Sequence, residues 1–331
     1  MRVGLIGAGR IGTLHAGVLA GVAAIDELVI SDSDADRAKK LAADLDAHHL
    51  DDPDEVFDGV DAVVIASSTE THASYLIKTA RAGIPAFCEK PISIDVLSTD
   101  KAVAAVDESG IMVQMGFMRR FDPGYRAAHE LVVSGGLGDI MLVQAQTHDF
   151  EPPPAEYIAG SGGIFVDMLI HEFDILRFVT GQEILQVDAT GSSHGLPIFA
   201  EYADVATAAV TAHLDGGALA VITGTRTDAR GYDVRMEVFG TTDSVAVGLD
   251  RHTPIRTLDP GLDLPQDPVT VGWLERFGPA YKAEMEAFVD AVVEDLPSPC
   301  TVEDARTALV VAEACHRSLV AGRPVLVEEA S

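Results

Sequence analysis

The stretch that decides the fold is 1-MRVGLIGAGRIG-12, an apolar run that leads directly into three glycines. Gly7, Gly9 and Gly12 form the pattern GxGxxG. Gly7 permits a tight turn, Gly9 lets a phosphate approach the backbone, and Gly12 lets the following helix pack closely on the strand. The N-terminus of that helix then faces a pyrophosphate. We therefore predict a dinucleotide-binding turn here, with an ordinary glycine turn beside a helix cap as the alternative.

The first 120 residues continue this opening pattern. Four further β-rich runs, DELVISDSD, VDAVVIASST, IPAFCEKP and IMVQMGF, alternate with helical stretches up to residue 120. An alternation of strands and helices predicts a parallel sheet that is covered on both faces. We expect residues 1–120 to form a doubly wound Rossmann domain in an α/β protein.

The pattern changes after residue 120. Residues 184–250 contain alternating apolar and polar runs, and Asp-Gly-Gly at 215–217 separates two of them. Such alternation around a glycine turn predicts antiparallel hairpins. We expect residues 121–331 to form an α+β domain with a large, mostly antiparallel open sheet, and its C-terminal helices could pack back on the first domain.

The composition excludes some partners. The formal net charge is -29, from 52 acidic and 23 basic residues, so the chain would repel nucleic acid and anionic membranes. No run of eighteen apolar residues or secretory signal is present, and the three scattered cysteines do not form a disulfide framework. We expect a cytoplasmic protein with reduced thiols.

Asp32 strengthens the prediction of a dinucleotide site. It lies twenty residues beyond Gly12, at the end of the second predicted strand. A carboxylate at that place accepts hydrogen bonds from both ribose hydroxyls of NAD and repels the 2′-phosphate of NADP. Arg10, beside the turn, would attract that phosphate. NAD is the favoured cofactor, and NADP is the alternative.

Glu89, Lys90 and Pro91 follow the fourth predicted strand. Ligands of such sheets bind at the carboxyl ends of the strands. The Lys90 ammonium could there stabilise an oxygen that gains negative charge as hydride leaves its carbon. A solvated lysine is the alternative. Pro91 fixes the local turn and permits a cis Lys90-Pro91 bond.

Polar residues, among them Asp167, His171 and Asp174, interrupt the apolar run 164-IFVDMLIHEFDILRFV-179. On one helix, Asp167, His171 and Asp174 would share a face. His171 could act as a general base, with Asp167 orienting it or binding substrate. A surface helix pair is the alternative. A metal site is not predicted, because HEFDI lacks the second histidine of a zinc helix and hydride transfer needs no metal.

Several motifs together resemble one family over essentially the whole chain. The chain is similar to glucose-fructose oxidoreductase, inositol dehydrogenase and the rhizopine-catabolism protein MocA, and most similar to the myo-inositol 2-dehydrogenase branch. Besides Glu89-Lys90-Pro91, the shared segments are GAGRIG at 7–12, GFMRRFDP at 116–123, PPPAEYI at 152–158, SGGIFVDMLIHEFD at 161–174 and RGYDVRMEVFGT at 230–241.

The resemblance implies a role for each matching residue. Lys90, Asp167 and His171 would be the catalytic residues, and we expect the substrate to bind between the two domains. The residues implied to contact the dinucleotide are Gly7, Gly9, Arg10, Ile11, Gly12, Asp32, Ser67, Ser68, Thr69, His72, Glu89 and Lys90. The residues implied to contact the substrate are Lys90, Arg120, His148, Asp167, His171 and Tyr232.

The last group has structural alternatives. Arg120 could pair with Asp122, His148 could cap a strand, and Tyr232 could pack on the sheet. The family also implies a homo-oligomer, a dimer or a tetramer, that forms through the open sheet at 184–250.

The implied activity is NAD-dependent oxidation of myo-inositol to 2-keto-myo-inositol (scyllo-inosose). Two departures from the inositol branch keep other substrates open, since Met118 replaces an Asn and THDFEPPP, with His148-Asp149, replaces RDPAPPP. The alternatives are a related cyclitol such as scyllo-inositol, and an aldose oxidised at its anomeric carbon. An NADPH-dependent reductase and a non-catalytic dinucleotide-binding regulator are the remaining readings.

Overall fold

The computed structural model describes residues 1–330, which divide into two compact units. The first unit contains Met1–Met118 and Pro279–Thr307, and the second contains Arg119–Gly278 and the residues from Ala308 onward. The assignment of residues 1–120 to NAD and of 121–331 to substrate and oligomer contacts stays a prediction.

The first unit is built on a parallel sheet, as predicted. Its strands are β1 (Arg2–Ile6), β2 (Glu27–Ser31), β3 (His48–Leu50), β4 (Ala62–Ile65), β5 (Ala86–Glu89) and β6 (Val113–Gly116). Within the described residues they follow the order β3-β2-β1-β4-β5-β6. Strand order reverses between β1 and β4, which is where sheets of this kind bind ligands. The short edge strand β3 was not predicted, because a polar three-residue strand carries no hydrophobic alternation.

Helices connect these parallel strands. They are α1 (Arg10–Leu19), α2 (Ala35–Asp44), α3 (Thr69–Ala82) and α4 (Val96–Ser109). Asp34 and Asp95 cap α2 and α4 by accepting backbone N–H groups, and Gly83 and Gly110 end α3 and α4 in the left-handed conformation. These are ordinary helix start and stop signals. They leave the sheet's carboxyl edge to the loops that carry the predicted site.

The second unit contains a mixed, mostly antiparallel sheet. Its strands are β7 (Ile140–His148), β8 (Ile184–Ser192), β9 (Thr207–Leu214), β10 (Leu219–Thr225), β11 (Asp233–Gly240), β12 (Ser244–Val247) and β13 (Val325–Leu326). Over the described chain their order is β12-β11-β7-β10-β9-β8-β13. Leu219 opposes His213 across the turn at 215–217, so the predicted hairpin is confirmed. The pairing of β7 with β10 is parallel.

The helix predicted over 164–179 is two helices. The remaining helices are α5 (Pro123–Val133), α6 (Ala155–Ile158), α7 (Gly163–Asp167), α8 (Ile170–Thr180), α9 (Ile198–Glu201), α10 (Trp273–Glu294) and α11 (Val302–Ala321). Met168 and Leu169 separate α7 from α8. The expectation of one continuous helix carrying Asp167, His171 and Asp174 was therefore wrong, because periodicity does not reveal a break at two apolar residues. Among residues 1–330, no helix has both the length and the apolar character needed to cross a bilayer.

Candidate active site

The glycine turn between β1 and α1 has the geometry that its sequence predicts. A Cβ on Gly7, whose φ is +109°, would overlap the carbonyl oxygen of Ala66, and one on Gly12 would overlap that of Gly7. Gly9 has no neighbour within 4 Å of a built Cβ, and no side chain caps the N-terminus of α1. Gly9 is therefore not required by packing inside the protein. An open backbone at a helix N-terminus fits the pyrophosphate of a dinucleotide.

Asp32 lies beside this turn. Its Oδ2 accepts the N–H of Ala8 at 2.6 Å, and its Oδ1 accepts the N–H of Asp34 at 2.8 Å. The carboxylate is thus oriented by backbone donors next to the glycines. The guanidinium of Arg37, which was not predicted, lies 3.5 Å from Oδ1. Arg10 is exposed at the first position of α1.

Ser67 and Ser68 lie in the loop after β4, Thr69 begins α3, and His72 lies in the first turn of that helix. The Ser67 hydroxyl hydrogen-bonds that of Thr71 at 2.7 Å, and Ser68 precedes the first residue of the helix. His72 is buried between two carbonyl groups, with Nδ1 2.8 Å from Pro91 O and Nε2 3.0 Å from Ser67 O. Burial lowers the pKa of His72, although both carbonyls favour the protonated ring. The imidazole therefore joins the loop after β4 to the Glu89-Lys90-Pro91 segment.

Glu89 and Lys90 lie at the carboxyl end of β5, as predicted. Glu89 is buried and its Oε1 lies 2.6 Å from Nε2 of the fully buried His15, while Lys90 is half-buried. The Lys90 N–H donates to Glu89 Oε2 at 3.3 Å. The Lys90-Pro91 bond is cis, which confirms the isomer that the sequence allowed. Glu89 thus contacts other protein groups, and its predicted contact with the cofactor stays a prediction.

Among residues 1–330, two groups of side chains have the donor atoms of a metal site. Within each group, the potential ligand atoms lie within 4.8 Å of one another. One group, in the first unit, is His15, Glu89 and Glu284. The other, in the second unit, is His148, Asp228 and Asp233. The distance of 2.6 Å between His15 and Glu89 is that of a hydrogen bond. Arg235 holds both oxygens of Asp233, at 2.8 and 3.0 Å. Contacts within the protein therefore already use the carboxylates of Glu89 and Asp233.

Asp167, the last residue of α7, accepts two short hydrogen bonds from other side chains. Its Oδ2 accepts a hydrogen bond from Nη1 of Arg226 at 2.6 Å, and its Oδ1 accepts one from the Tyr157 hydroxyl at 2.7 Å. Burial disfavours the charged guanidinium, but the charges of Asp167 and Asp204 outweigh this effect and raise the pKa of Arg226. His171 is half-buried in the first turn of α8.

Arg120 and Asp174 form a buried ion pair. The Arg120 Nε lies 2.9 Å from one Asp174 oxygen and Nη2 lies 2.5 Å from the other. Asp122 pairs instead with Arg276 at 2.7 Å, so the structural alternative offered for Arg120 names the wrong carboxylate. The contact of Arg120 with substrate stays a prediction.

His148 and Tyr232 lie close together on the second sheet. His148 opposes Asp233 across β7 and β11, and Tyr232 immediately precedes that residue. Burial lowers the pKa of His148, although Asp233 and Asp228 act in the opposite direction. Burial also raises the pKa of Tyr232, whose ring packs edge-on against Phe277. Both side chains are therefore uncharged at neutral pH. Each can donate a hydrogen bond to a hydroxyl group and accept one from it.

Besides Arg37, the sequence reasoning missed three further residues that support the candidate site. Arg226 supports Asp167, Arg119 pairs with Glu172 next to His171, and His15 supports Glu89. No local pattern distinguishes Arg226 or Arg119 from the other arginines of the chain. His15 lies in a helical stretch, where a buried histidine gives no periodic signal.

Comparisons with known proteins agree with this architecture. Residues 1–117 match the family described as oxidoreductase family, NAD-binding Rossmann fold, and residues 125–246 match the GFO/IDH/MocA C-terminal domain. The myo-inositol 2-dehydrogenase of Thermotoga maritima is 35% identical over 99% of both chains. The scyllo-inositol 2-dehydrogenase (NAD(+)) of Bacillus subtilis is 35% identical over 98% of this chain and 96% of its own.

A solved structure extends the similarity to the coordinates. The crystal structure of scyllo-inositol dehydrogenase from Lactobacillus casei, with bound NAD(H) and scyllo-inositol, is 27% identical, covers 99% of both chains and has a TM-score of 0.88. The fold class predicted from sequence is confirmed, and so is the NAD-binding Rossmann fold. The chain belongs to the GFO/IDH/MocA family of NAD-binding oxidoreductases, the family that its motifs resemble.

Proposed function

We propose that the chain is an NAD-dependent inositol 2-dehydrogenase that oxidises a ring hydroxyl, with myo-inositol as the principal substrate and scyllo-inosose as the product. The observation that carries this proposal is the similarity, over nearly the full length of both chains, to two dehydrogenases named for inositol oxidation at carbon 2. The open glycine turn beside Asp32 supports NAD as the electron acceptor.

Scyllo-inositol is a second candidate for a specific reason. The relatives named for myo-inositol and for scyllo-inositol are both 35% identical to this chain, so identity does not choose between the epimers. The two cyclitols differ only in the configuration of one carbinol, and oxidation of that carbinol gives the same ketone. The departures at Met118 and at His148-Asp149 keep an aldose as a third candidate.

The catalytic roles follow from the chemistry of each side chain. His171 takes the hydroxyl proton, since a neutral imidazole accepts protons near neutral pH. The Lys90 ammonium can stabilise an oxygen that gains negative charge as hydride leaves its carbon. Asp167, held by Arg226, accepts a hydrogen bond from the base or from a neighbouring hydroxyl. The chemistry that bound NAD supplies is the acceptance of a hydride.

A spectrophotometric screen tests the activity. The purified protein is mixed with NAD or NADP and with inositol isomers and common aldoses, and reduction of the cofactor is followed by absorbance. We expect turnover with NAD and an inositol. A preference for an aldose would replace the substrate, and a preference for NADPH would favour a reductase. Tight NAD binding without turnover on any compound would favour a regulator.

Variants at Lys90 and His171 test the proposed roles. Lys90→Ala should lower kcat by roughly 100-fold or more while NAD affinity persists, and His171→Ala should remove the rise of kcat/KM with pH through the histidine range. Lys78→Ala is the matched control for Lys90, because Lys78 pairs with Asp54 on the surface. An unchanged rate for Lys90→Ala, or a retained rise with pH for His171→Ala, would contradict the respective role.

We also propose a homo-oligomer that forms through the open sheet of the second unit. Leu142, Leu219 and Phe239 lie side by side in the register of β7, β10 and β11, and Val221 lies two residues further along β10. Leu219 and Val221 are 46% and 38% exposed, which suits contact with a second copy. Val221→Glu should reduce the mass measured by light scattering from a tetramer or dimer to a smaller species. A monomeric wild-type protein would exclude the proposal.

A cytoplasmic location is proposed on the chemistry of the cysteines. Cys88, Cys300 and Cys315 are all buried as thiols. Burial raises the pKa of Cys88 and of Cys315, which keeps both in the unreactive thiol form. Thiols of this kind suit a reducing compartment.

A further inference from the structure

Arg226 is a buried cation that faces two carboxylates. It follows the last residue of β10 and is only 2% exposed. Its Nη1 donates to Asp167 Oδ2 at 2.6 Å, and its Nη2 lies 3.8 Å from Asp204 Oδ2. The Arg226 N–H donates to Ala206 O at 2.8 Å, and its guanidinium lies 5.7 Å from the ring of Phe199. The position of the charge is therefore set by backbone and packing as well as by the ion pair.

The other oxygen of Asp167 is also held. The Tyr157 hydroxyl donates to Oδ1 at 2.7 Å, so Arg226 and Tyr157 contact the carboxylate on different oxygens. The Asp167 side chain is 13% exposed. A carboxylate removed from water this far needs such donors to remain charged. The two contacts together restrict its rotation more than the ion pair alone would.

These contacts separate the roles of Asp167 and His171. A guanidinium does not release its proton at any ordinary pH, so it remains a donor beside Asp167. An anion between two donors is a hydrogen-bond acceptor and a poor proton carrier. We propose that Arg226 is a positioning residue that keeps Asp167 ionised and oriented toward a polyol hydroxyl, so that proton removal falls to His171. This inference rests on the proposed polyol dehydrogenase activity.

A double-mutant cycle tests the inference. The kcat and KM for the polyol that the wild type oxidises are measured for Arg226→Met, Asp167→Asn and the double variant, together with NAD affinity. Arg226→Met should lower kcat/KM by roughly 10- to 100-fold, the effect of losing a charge-assisted hydrogen bond. Because Arg226 acts through Asp167, the same change in the Asp167→Asn background should cost no more than about twofold. NAD affinity should not change.

Two further variants separate positioning from folding. Asp204→Asn removes the other carboxylate near Arg226 but retains the oxygen that accepts the Ile164 N–H at 3.0 Å. It should leave kcat/KM within about twofold of wild type. Arg226→Lys keeps the charge and should retain more activity than Arg226→Met. If Arg226→Met does not fold, Arg226→Gln, which also removes the charge, provides the same cycle in both backgrounds.

The outcomes distinguish the inference from the function on which it rests. A loss in Arg226→Met that persists in the Asp167→Asn background, or an equal loss in Asp204→Asn, would overturn the role of Arg226 and leave the dehydrogenase intact. A wild-type protein that oxidises no cyclitol or aldose would overturn both.

Discussion

The buried pair of Arg119 and Glu172 allows a quantitative prediction for the second unit. Arg119 and Glu172 are each only 1% exposed, and Glu172 immediately follows His171 in α8. The Thr147 hydroxyl donates to Glu172 Oε1 at 2.6 Å and accepts from Arg119 Nη2 at 2.9 Å. Arg119→Met would leave the Glu172 carboxylate buried without its cation. Loss of one partner of a buried pair typically costs about 3–5 kcal/mol of unfolding free energy.

The assay uses the chain's one tryptophan, Trp273, which lies in the second unit. Its fluorescence during urea denaturation reports the unfolding of that unit. A loss of about 3–5 kcal/mol should lower the urea midpoint by roughly 1 to 2 M. Arg251→Met is the control, because Arg251 is 66% exposed in its pair with Asp267 and should change stability by less than about 1 kcal/mol.

The double variant Arg119→Met/Glu172→Met decides whether the reasoning is correct. Replacing both charges with apolar side chains removes the uncompensated charge, so the double variant should be more stable than either single variant. Additive losses would refute the account, because they would mean that each side chain stabilises the unit through contacts other than the pair.

The other predictions concern the first unit. Gly9→Val should fold like wild type but lose NAD affinity, because φ at Gly9 is -74° and the position of a Cβ there is open. Gly12→Val should not fold, because its Cβ would overlap the carbonyl oxygen of Gly7. Calorimetric titration with NAD measures the affinity, and thermal unfolding measures the stability. Asp32→Ser should shift the ratio of kcat/KM for NAD over NADP by about tenfold or more toward NADP, because it removes a carboxylate that repels the 2′-phosphate; an unchanged ratio would exclude this role. Burial lowers the pKa of the His72 imidazole in the folded state below its ordinary value of 6.5. As the pH drops below 6.5, His72 therefore binds a proton more readily in the unfolded state, and the free energy of unfolding should fall. His72→Asn should flatten that dependence in circular dichroism melts, and the exposed His194→Asn should not.

Much of the architecture was predictable because it depends on local chemistry. The GxGxxG turn, the alternation of strands and helices, and the Asp-Gly-Gly hairpin each follow from residues near one another in the chain. The helix at 164–179 was predicted wrongly in one respect, since the break at Met168 and Leu169 lies within an apolar run. The edge strand β3 was missed because His48–Leu50 obtains its place from pairing with β2.

The ion pairs of the candidate site could not be predicted from the sequence. Arg226 is 59 residues from Asp167, and Arg120 is 54 residues from Asp174. Sequence reasoning offered the neighbouring Asp122 as the alternative partner of Arg120, whereas tertiary packing placed Asp174 beside it. A chain with 52 acidic residues offers each arginine many carboxylates, so charge alone does not select the partner.

The sequence by itself determined the class of the fold, the family and the candidate residues Lys90, Asp167 and His171, because these depend on glycine geometry, hydrophobic periodicity and short motifs. Only the tertiary structure decided which donors hold Asp167 and which carboxylates pair with the arginines. Those contacts join residues distant in sequence, and they form where burial makes an unpaired charge costly.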